Sequence, residues 1–388
     1  MTNITLTDIQ QKAIEICFNN FKQRQETVIA GYAGTGKSTL VRFLIDRLIQ
    51  ENYISESEVV YTTFTGKAAQ VLTNKGCSAL TLHKLMYEVH VDRSGEVTFT
   101  LKDELPAKLI IVDECSMVPL NMIQELRSFE IPLIFLGDPG QLPPIQKDTK
   151  NGLLDNPDIF LKEVHRQALD SPIIRLSMSI RNQENIDSFR EKDAKVITRQ
   201  ELSPEELKNA DMILVGTNKL RQSVNNAMRV FLKKQGDIDE NEKIICTQNY
   251  WESLIEMSLT NGTVGLLKDI KETTSTYFKG KLKVPVYRGL FTSESGLQKR
   301  IKIDQQFLTE ETSSLTFKQE LYIKPRILQP LKFTYAYAIT GHKAQGSEWD
   351  NVIVFEESFP FDRDEHTRWL YTCVTRARKT VTIVRGGF

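Results

Sequence analysis

Gly31-Tyr32-Ala33-Gly34-Thr35-Gly36-Lys37-Ser38 is the stretch on which the fold turns. It fits the pattern GxxxxGK[ST], in which glycines let backbone N–H groups converge on phosphates, a lysine reaches the β- and γ-phosphates and a hydroxyl serves Mg²⁺. The flanks supply the context the pattern needs. Thr27-Val28-Ile29-Ala30 reads as a strand, and Leu40, Val41, Leu44, Ile45 and Leu48 recur at helical spacing after the turn. Strand, glycine turn and helix in that order set an anion at a helix N-terminus, where the dipole favours it. Gly34, Thr35, Gly36, Lys37, Ser38 and Thr39 are therefore expected to bind a nucleotide.

Downstream, Leu109-Ile110-Ile111-Val112 and Leu133-Ile134-Phe135-Leu136 are continuous apolar runs, suited to parallel strands buried on both faces. Each ends in polar residues. Asp113-Glu114 follows the first, where an aspartate can hold Mg²⁺ and a glutamate can polarise water. Gly137-Asp138-Pro139-Gly140-Gln141-Leu142-Pro143-Pro144-Ile145 follows the second, with Gln141 able to sense a γ-phosphate. Between helix and strands, residues 89–101 alternate around Asp92-Arg93-Ser94-Gly95, a hairpin pattern.

A second strand-and-helix region begins near Ser171, with Met212-Ile213-Leu214-Val215 as an early strand. From Asn261-Gly262 to about Pro330 short strands and turns take over. That segment holds twelve Lys or Arg against seven Asp or Glu. The α/β pattern resumes at Tyr335-Ala336-Tyr337-Ala338-Ile339, continues through Val352-Ile353-Val354-Phe355 and closes with Val381-Thr382-Ile383-Val384. Two α/β domains, the second carrying a β insert, is the economical reading.

Composition sets outer bounds. The 388 residues suit two or three domains, and 40% hydrophobic with 26% charged residues suits a folded core. Fifty basic and fifty acidic residues cancel, which excludes a basic tail or acidic solubiliser but leaves charge free to segregate between faces. No apolar run reaches the roughly 18 residues that span a bilayer, so no membrane association is expected. Met1-Thr2-Asn3-Ile4-Thr5 has no export pattern, and five scattered cysteines with five histidines give no disulfide framework or zinc pattern, so a reducing cytoplasm is expected.

In order, these motifs resemble the superfamily 1B DNA helicases, the RecD/Dda-like group, from near Leu6 to Arg378. Leu6-Thr7-Asp8-Ile9-Gln10 resembles the adenine-reading Q motif. Thr63-Phe64-Thr65-Gly66-Lys67-Ala68-Ala69 resembles a single-strand contact loop, with Phe64 where proline is usual, and Ala79-Leu80-Thr81-Leu82-His83-Lys84-Leu85 the next such motif. Glu163-Val164-His165-Arg166-Gln167 resembles the motif whose arginine meets the γ-phosphate. Thr217-Asn218, with Arg221 and Asn225, resembles the motif opening the second domain. Gly341-His342-Lys343-Ala344-Gln345-Gly346-Ser347-Glu348-Trp349-Asp350 resembles motif V, and Leu370-Tyr371-Thr372-Cys373-Val374-Thr375-Arg376-Ala377-Arg378 motif VI.

The resemblance implies an α/β fold of two RecA-like P-loop domains with parallel sheets. It places a β-hairpin pin at about 87–102 in the first and an SH3-like β-barrel in the second. The implied domains are 1–170, 171–260 with 331–388, and 261–330. It implies ATP hydrolysis with Mg²⁺ driving 5′→3′ movement on single-stranded DNA and duplex separation. Lys37, Asp113, Glu114, Gln141, Arg166 and Arg376 would be catalytic, with Ser38 and Asp113 at the metal and Gln10, Gly346 and Glu348 joining the P-loop at ATP. Arg378, two residues along the same predicted helix as Arg376, points elsewhere. DNA contacts would fall to Thr65, Gly66, Lys67, Thr81, His83, Phe99, Thr217, Asn218, His342 and Lys343. Expected partners are single-stranded DNA, single/double-strand junctions and single-strand-binding or replication and repair proteins. The protein itself is expected to be a monomer in the cytoplasm of a bacterium or phage-infected host. Alternatives of the same family are an RNA helicase or the ATPase subunit of a recombination or repair nuclease complex. A GTPase or small-molecule kinase fits less well: Asn218-Lys219-Leu220-Arg221 lacks the aspartate of a guanine-reading NKxD, and a kinase needs neither motif V nor motif VI.

Overall fold

The structure is a computed structural model describing residues 6–74, 76–91, 97–143, 151–164, 166–248, 250–251, 257–294, 296–323, 329–357 and 362–386. It divides into two compact units. One comprises Met1–Tyr87, Leu101–Glu201 and Gln345–Gly387, the other Glu88–Thr100 and Leu202–Ala344.

The first unit is organised by a six-stranded sheet. From one edge its strands are Ala79–Thr81, Val59–Thr63, Leu109–Asp113, Leu133–Gly137, Thr27–Gly31 and Ile159–Leu161. Every neighbouring pair is parallel. The apolar runs make this possible, because a strand with helices on both sides has no solvent face to leave polar. Two separate clusters cover the sheet. The helix Lys37–Gln50 packs Leu40, Val41, Leu44, Ile45 and Leu48 on one side against Ile29, Ile111 and Leu136. Leu82, Met86, Ile123 and Leu126 meet Val28, Ile110, Val112 and Phe135 on the other.

The C-terminal part of this unit adds Trp349–Phe355 and Ala377–Arg385, parallel to each other, with Ala194–Thr198 parallel to the latter. The helix Arg363–Val374 lies between the first two in sequence and buries Trp369, Leu370, Tyr371 and Cys373. It ends at Val374, so Arg376 sits in the following turn and Arg378 in a strand. The single helix expected to carry both does not reach them.

In the second unit Met212–Val215 runs parallel to Ala338–Thr340, and Asn225 fastens the edge by pairing its amide with both the N–H and the carbonyl of Ala338. The antiparallel sheet of the β insert also takes in strands on either side of 261–330. Its antiparallel strands are Gln298–Asp304, Leu282–Ser293, Val264–Tyr277, Glu242–Cys246 and Phe333–Tyr335. Leu331 closes the sheet on itself, donating to the Lys302 carbonyl at 2.7 Å and accepting from Asp304 N–H at 3.0 Å. The product is a small closed barrel. Tyr287, Phe291 and Phe333 fill its core with Ile244, Ile301 and Ile303, so Tyr287 and Phe291 are packing residues.

The run 335–339 reads as one strand in sequence but is two. Tyr335 pairs antiparallel with Ile244 in the barrel, whereas Ala338 pairs parallel with Ile213. The expected hairpin is present as Tyr87–Val91 and Val97–Leu101, a two-stranded sheet. Its turn, 92–96, lies outside the described residues. Among the described residues no helix is long and apolar enough to cross a membrane.

Candidate active site

The P-loop follows its strand and enters the helix through Gly36, which holds φ 79° as the N-cap. Gly34 also has positive φ, 77°, a region L side chains enter only at a cost. Glycine at 31 answers to space: a Cβ there would stand 2.7 Å from Thr35 Oγ1 and 3.1 Å from Lys37 Cγ. No side chain caps the helix and its first turn holds no acid, so its leading N–H groups face outward for an anion. Lys37 Nζ donates to the carbonyls of Gly31 and Tyr32 at 2.7 and 3.1 Å. Thr35 is buried and donates to the Tyr32 carbonyl. Ser38 and Thr39, in the first turn, make no side-chain hydrogen bond among the described residues.

Asp113 ends a strand two places from the P-loop strand, with Leu133–Gly137 between them. At about 4.8 Å per strand, Asp113 therefore stands roughly 10 Å across the sheet from the P-loop strand. That gap suits phosphates and a cation between them. Glu114 is held at φ 52°, the left-handed region, which a non-glycine residue adopts under strain. Asp113 Oδ1 accepts the Glu114 N–H at 2.9 Å and helps to fix it there. Arg376 Nη1 lies 4.0 Å from Glu114 Oε1. Burial pushes the Glu114 carboxyl up from its ordinary range, Arg376 pulls it back, and Asp113 pushes it up again.

Arg376 is itself buried and oriented by oxygens: the Thr372 carbonyl at 3.1 Å, Thr375 Oγ1 at 3.1 Å and the Ser347 carbonyl at 3.5 Å. Nearby, Tyr371 joins three motifs through one hydroxyl. It accepts the P-loop Ala33 N–H at 2.9 Å and donates to Asp138 Oδ2 at 2.8 Å. Asp138 Oδ1 takes the Gly140 N–H, and a Cβ on Gly140 would meet the Tyr371 ring at 3.1 Å. Gln141 is 8% exposed, and its Oε1 accepts nothing among the described residues. A buried amide oxygen without a donor costs about 1–3 kcal/mol.

Motif V is tied to the same loops. Gln345 Nε2 donates to the Leu142 carbonyl at 2.6 Å, and Thr372 Oγ1 accepts the Leu142 N–H. Gly346, at φ 71°, lies so close that an added Cβ would stand 2.8 Å from Ala68 Cβ and 3.2 Å from Thr65 Oγ1. Glu348 is half-buried beside Trp349, whose ring carries the Lys67 ammonium 4.7 Å above it. Thr65 caps the helix Gly66–Asn74 by accepting the Ala68 N–H. Thr81 caps Leu82–Met86, and His83 lies between the rings of Phe64 and Tyr87, where burial lowers its pKa. Gln10 closes a capping box with Thr7, accepting the Thr7 N–H at 3.1 Å.

Arg166 begins the helix Arg166–Leu169, but its side chain, like His165 and residues 144–150, lies outside the described residues. The remaining expected contacts belong to the second unit. Phe99 is 44% exposed. Thr217 caps the helix Asn218–Phe231, and Asn218 accepts from Arg221, whose guanidinium holds the Glu311 carboxylate. Burial lowers the pKa of His342 and of Lys343, the latter also through Arg221.

Sequence reading gave no role to Tyr371, Asp138, Gln345 or Thr372. Their partners lie more than 200 residues away, so no local spacing announces them.

A parallel sheet with a P-loop, strand-end acids and an arginine set against them defines a P-loop nucleotide-binding domain of the RecA-like class. A family model described as an AAA domain matches residues 5–200, and one described as a UvrD-like helicase C-terminal domain matches 335–384. The chain belongs to the AAA-domain family, within the superfamily 1B helicases. The ATP-dependent DNA helicase dda of Enterobacteria phage T4 is 29% identical over 197 residues, which are 47% of this chain and 44% of that protein. The ATP-dependent RecD2 DNA helicase of Deinococcus radiodurans is 26% identical over 365 residues, 90% of this chain and 46% of its own. The chain thus spans about half the length of these curated relatives. In fold it is similar to a Bacteroides Pif1 helicase crystallised with ADP-AlF3 and ssDNA, with TM-score 0.57 and 17% identity over 100% of this chain and 94% of that one. The Candida albicans Pif1 helicase gives 0.54 and 18% over 99% and 95%.

Proposed function

We propose that the chain is an ATP-dependent DNA helicase that moves 5′→3′ on single-stranded DNA and opens the duplex at single/double-strand junctions. The observation that carries this is Arg376 at 4.0 Å from Glu114. A motif VI arginine beside the strand-end acid is what phosphoryl transfer needs and a passive nucleotide clamp does not.

The site suits ATP with Mg²⁺. Its glycine cradle has no room for a Cβ at Gly31, its helix N-terminus is uncapped, and the Gln141 amide oxygen is buried without a donor. Ser38 and Asp113 would hold the cation, which supplies charge neutralisation at the β- and γ-phosphates. Lys37 would bind the same phosphates, with Gly34, Thr35, Gly36 and Thr39 around them and Gln10 at the base. Glu114 would take a proton from the attacking water, Gln141 would orient that water, and Arg376 and Arg166 would neutralise charge growing on the γ-phosphate.

Coupling to the strand would run through Gly346 and Glu348. The close approach of Gly346 to Thr65 and Ala68 supports it, because a shift of either segment must move the other. Thr65, Gly66, Lys67, Thr81, His83, Thr217, Asn218, His342 and Lys343 would face the single strand, and Phe99 the fork. The functional domains would be 1–170, 171–260 with 331–388, and 261–330. Pairing of Ala194–Thr198 with Ala377–Arg385, and of Met212–Val215 with Ala338–Thr340, supports joining the two parts of the second.

Duplexes bearing a 5′ or a 3′ overhang test the proposal together with ATP turnover measured with and without single-stranded DNA. Opening of the 5′-tailed duplex alone, with turnover stimulated by the strand, is expected. Turnover indifferent to DNA rejects the helicase reading, and preference for the 3′ tail rejects the direction.

A further inference from the structure

The barrel carries an open basic face whose layout follows from strand register. Lys271 stands opposite Arg288, and Arg288 opposite Lys302. One row along, Lys268 stands opposite Leu290, and Leu290 opposite Arg300. Residues directly opposite share a face of the sheet, so these five cations point the same way, and all five are exposed. The other face of the same strands turns Tyr287, Phe291, Ile301 and Ile303 into the barrel core. Farther along, Val284 and Val286 are covered by Leu315 and Ile323, and the cover stops before Arg288.

Like charges directly opposite one another destabilise a sheet. In a chain whose charges cancel overall, three in a row is a departure that folding alone does not explain. Asp269 Oδ2 approaches Arg300 Nη2 at 3.9 Å, and no carboxylate pairs with Lys268, Lys271, Arg288 or Lys302 among the described residues. The row Lys271–Arg288–Lys302 crosses about 10 Å at the usual strand spacing. Double-stranded DNA presents about six phosphate charges in that length, one per roughly 1.7 Å of axis. A single strand is gripped by aromatic stacking as well as charge. The next positions on this face are Leu266, Thr292 and Gln298, which offer no ring.

We propose that this face binds the sugar–phosphate backbone of double-stranded DNA, without regard to sequence. The proposal takes DNA as the substrate from the reading above but does not depend on ATP turnover, and it uses none of the residues assigned there to strand contact.

The test is anisotropy of the whole chain, without nucleotide, on a blunt 24-base-pair duplex and on an oligo-dT strand across a salt series. The variant is Lys271→Gln/Arg288→Gln/Lys302→Gln. The control is Lys12→Gln/Lys192→Gln/Lys318→Gln, which removes the same charge at exposed positions elsewhere. For the duplex, the slope of log affinity against log salt is expected to fall by about 3 in the face variant, near 0.9 for each phosphate no longer neutralised. Oligo-dT binding is expected to hold, and so is the melting temperature, which the relief of repulsion can only raise. A duplex slope unchanged in the face variant overturns the proposal. So does an equal weakening on oligo-dT, which would make the face a single-strand grip, or an equal fall in the control, which would make it net charge alone. ATP turnover of the face variant separates this result from the catalytic reading: turnover on oligo-dT stays at the parent value if the face serves the duplex alone.

Discussion

Arg376 and Arg288 carry the same guanidinium into opposite settings. Arg376 is 5% exposed, is held by three oxygens of its own unit, and faces a carboxylate across 4.0 Å. Arg288 is exposed and has a lysine on either side of it in the sheet. The first arrangement fixes a charge at one point and strips its water, which is how an arginine stabilises charge that appears only in a transition state. The second spreads charge over a plane and leaves it hydrated, which suits a polyanion bound by release of counterions. Placement in the fold, rather than residue type, separates the two roles proposed for these arginines.

Breaking the buried side of this comparison should give the largest effects. Arg376→Ala is expected to slow ATP turnover by roughly 10³- to 10⁵-fold, read by phosphate release at saturating strand, with binding of a non-hydrolysable analogue reduced far less. Glu114→Gln, which removes the proposed proton acceptor, should cost about 10²- to 10⁴-fold in turnover. It should also reveal the acid's electrostatic setting. A carboxyl raised on folding stabilises the fold below its ordinary range near 4.3, and that contribution is lost as pH climbs through the raised value. The glutamine lacks the titration, so its melting temperature should gain on the parent's as pH rises above about 4. A constant difference over that range removes the buried-acid argument.

Tyr371→Phe sharpens the comparison, because it deletes one oxygen and leaves the ring packing. Asp138, 2% exposed, then loses a donor and Ala33 an acceptor. We expect the KM for ATP to rise about tenfold, equivalent to about 1.4 kcal/mol, with kcat changed by less. A lower melting temperature with KM unmoved would leave the hydroxyl a packing role only. Smallest should be Arg378→Ala. Arg378 is 56% exposed and shares Asp350 with Lys379, at 2.7 and 2.6 Å, so a stability change within about 1 kcal/mol and unaltered turnover are expected.

The first sheet was legible because its strands are apolar on both faces and its P-loop is written in contiguous residues. The helix after it buries the five residues whose spacing announced it. Legibility fell where a sheet alternates or where partners are remote. The strand Glu242–Cys246 opens with an acid yet buries it, with Arg229 3.3 Å from the Glu242 carboxylate and Tyr337 donating to it. Such a pattern hides a barrel strand from an apolar search. Residues 335–339 misled for the converse reason: one apolar run serves two sheets, since burial is common to both and only register tells them apart. At the site, the segments that carry Lys37, Glu114 and Arg376 are each contiguous in sequence, whereas the Tyr371–Asp138 pair exists only after folding.

The barrel's first and last strands are neighbours, and where the chain leaves, the Ala336 N–H donates to the Lys243 carbonyl at 2.8 Å beside the point of entry. A segment running from Glu242 to Tyr335 thus begins and ends at one spot. Such a cassette can lengthen, shrink or be exchanged for a short turn while the parallel strands beside it keep their register. Variation in the barrel therefore need not disturb the nucleotide-binding sheet or the P-loop it carries.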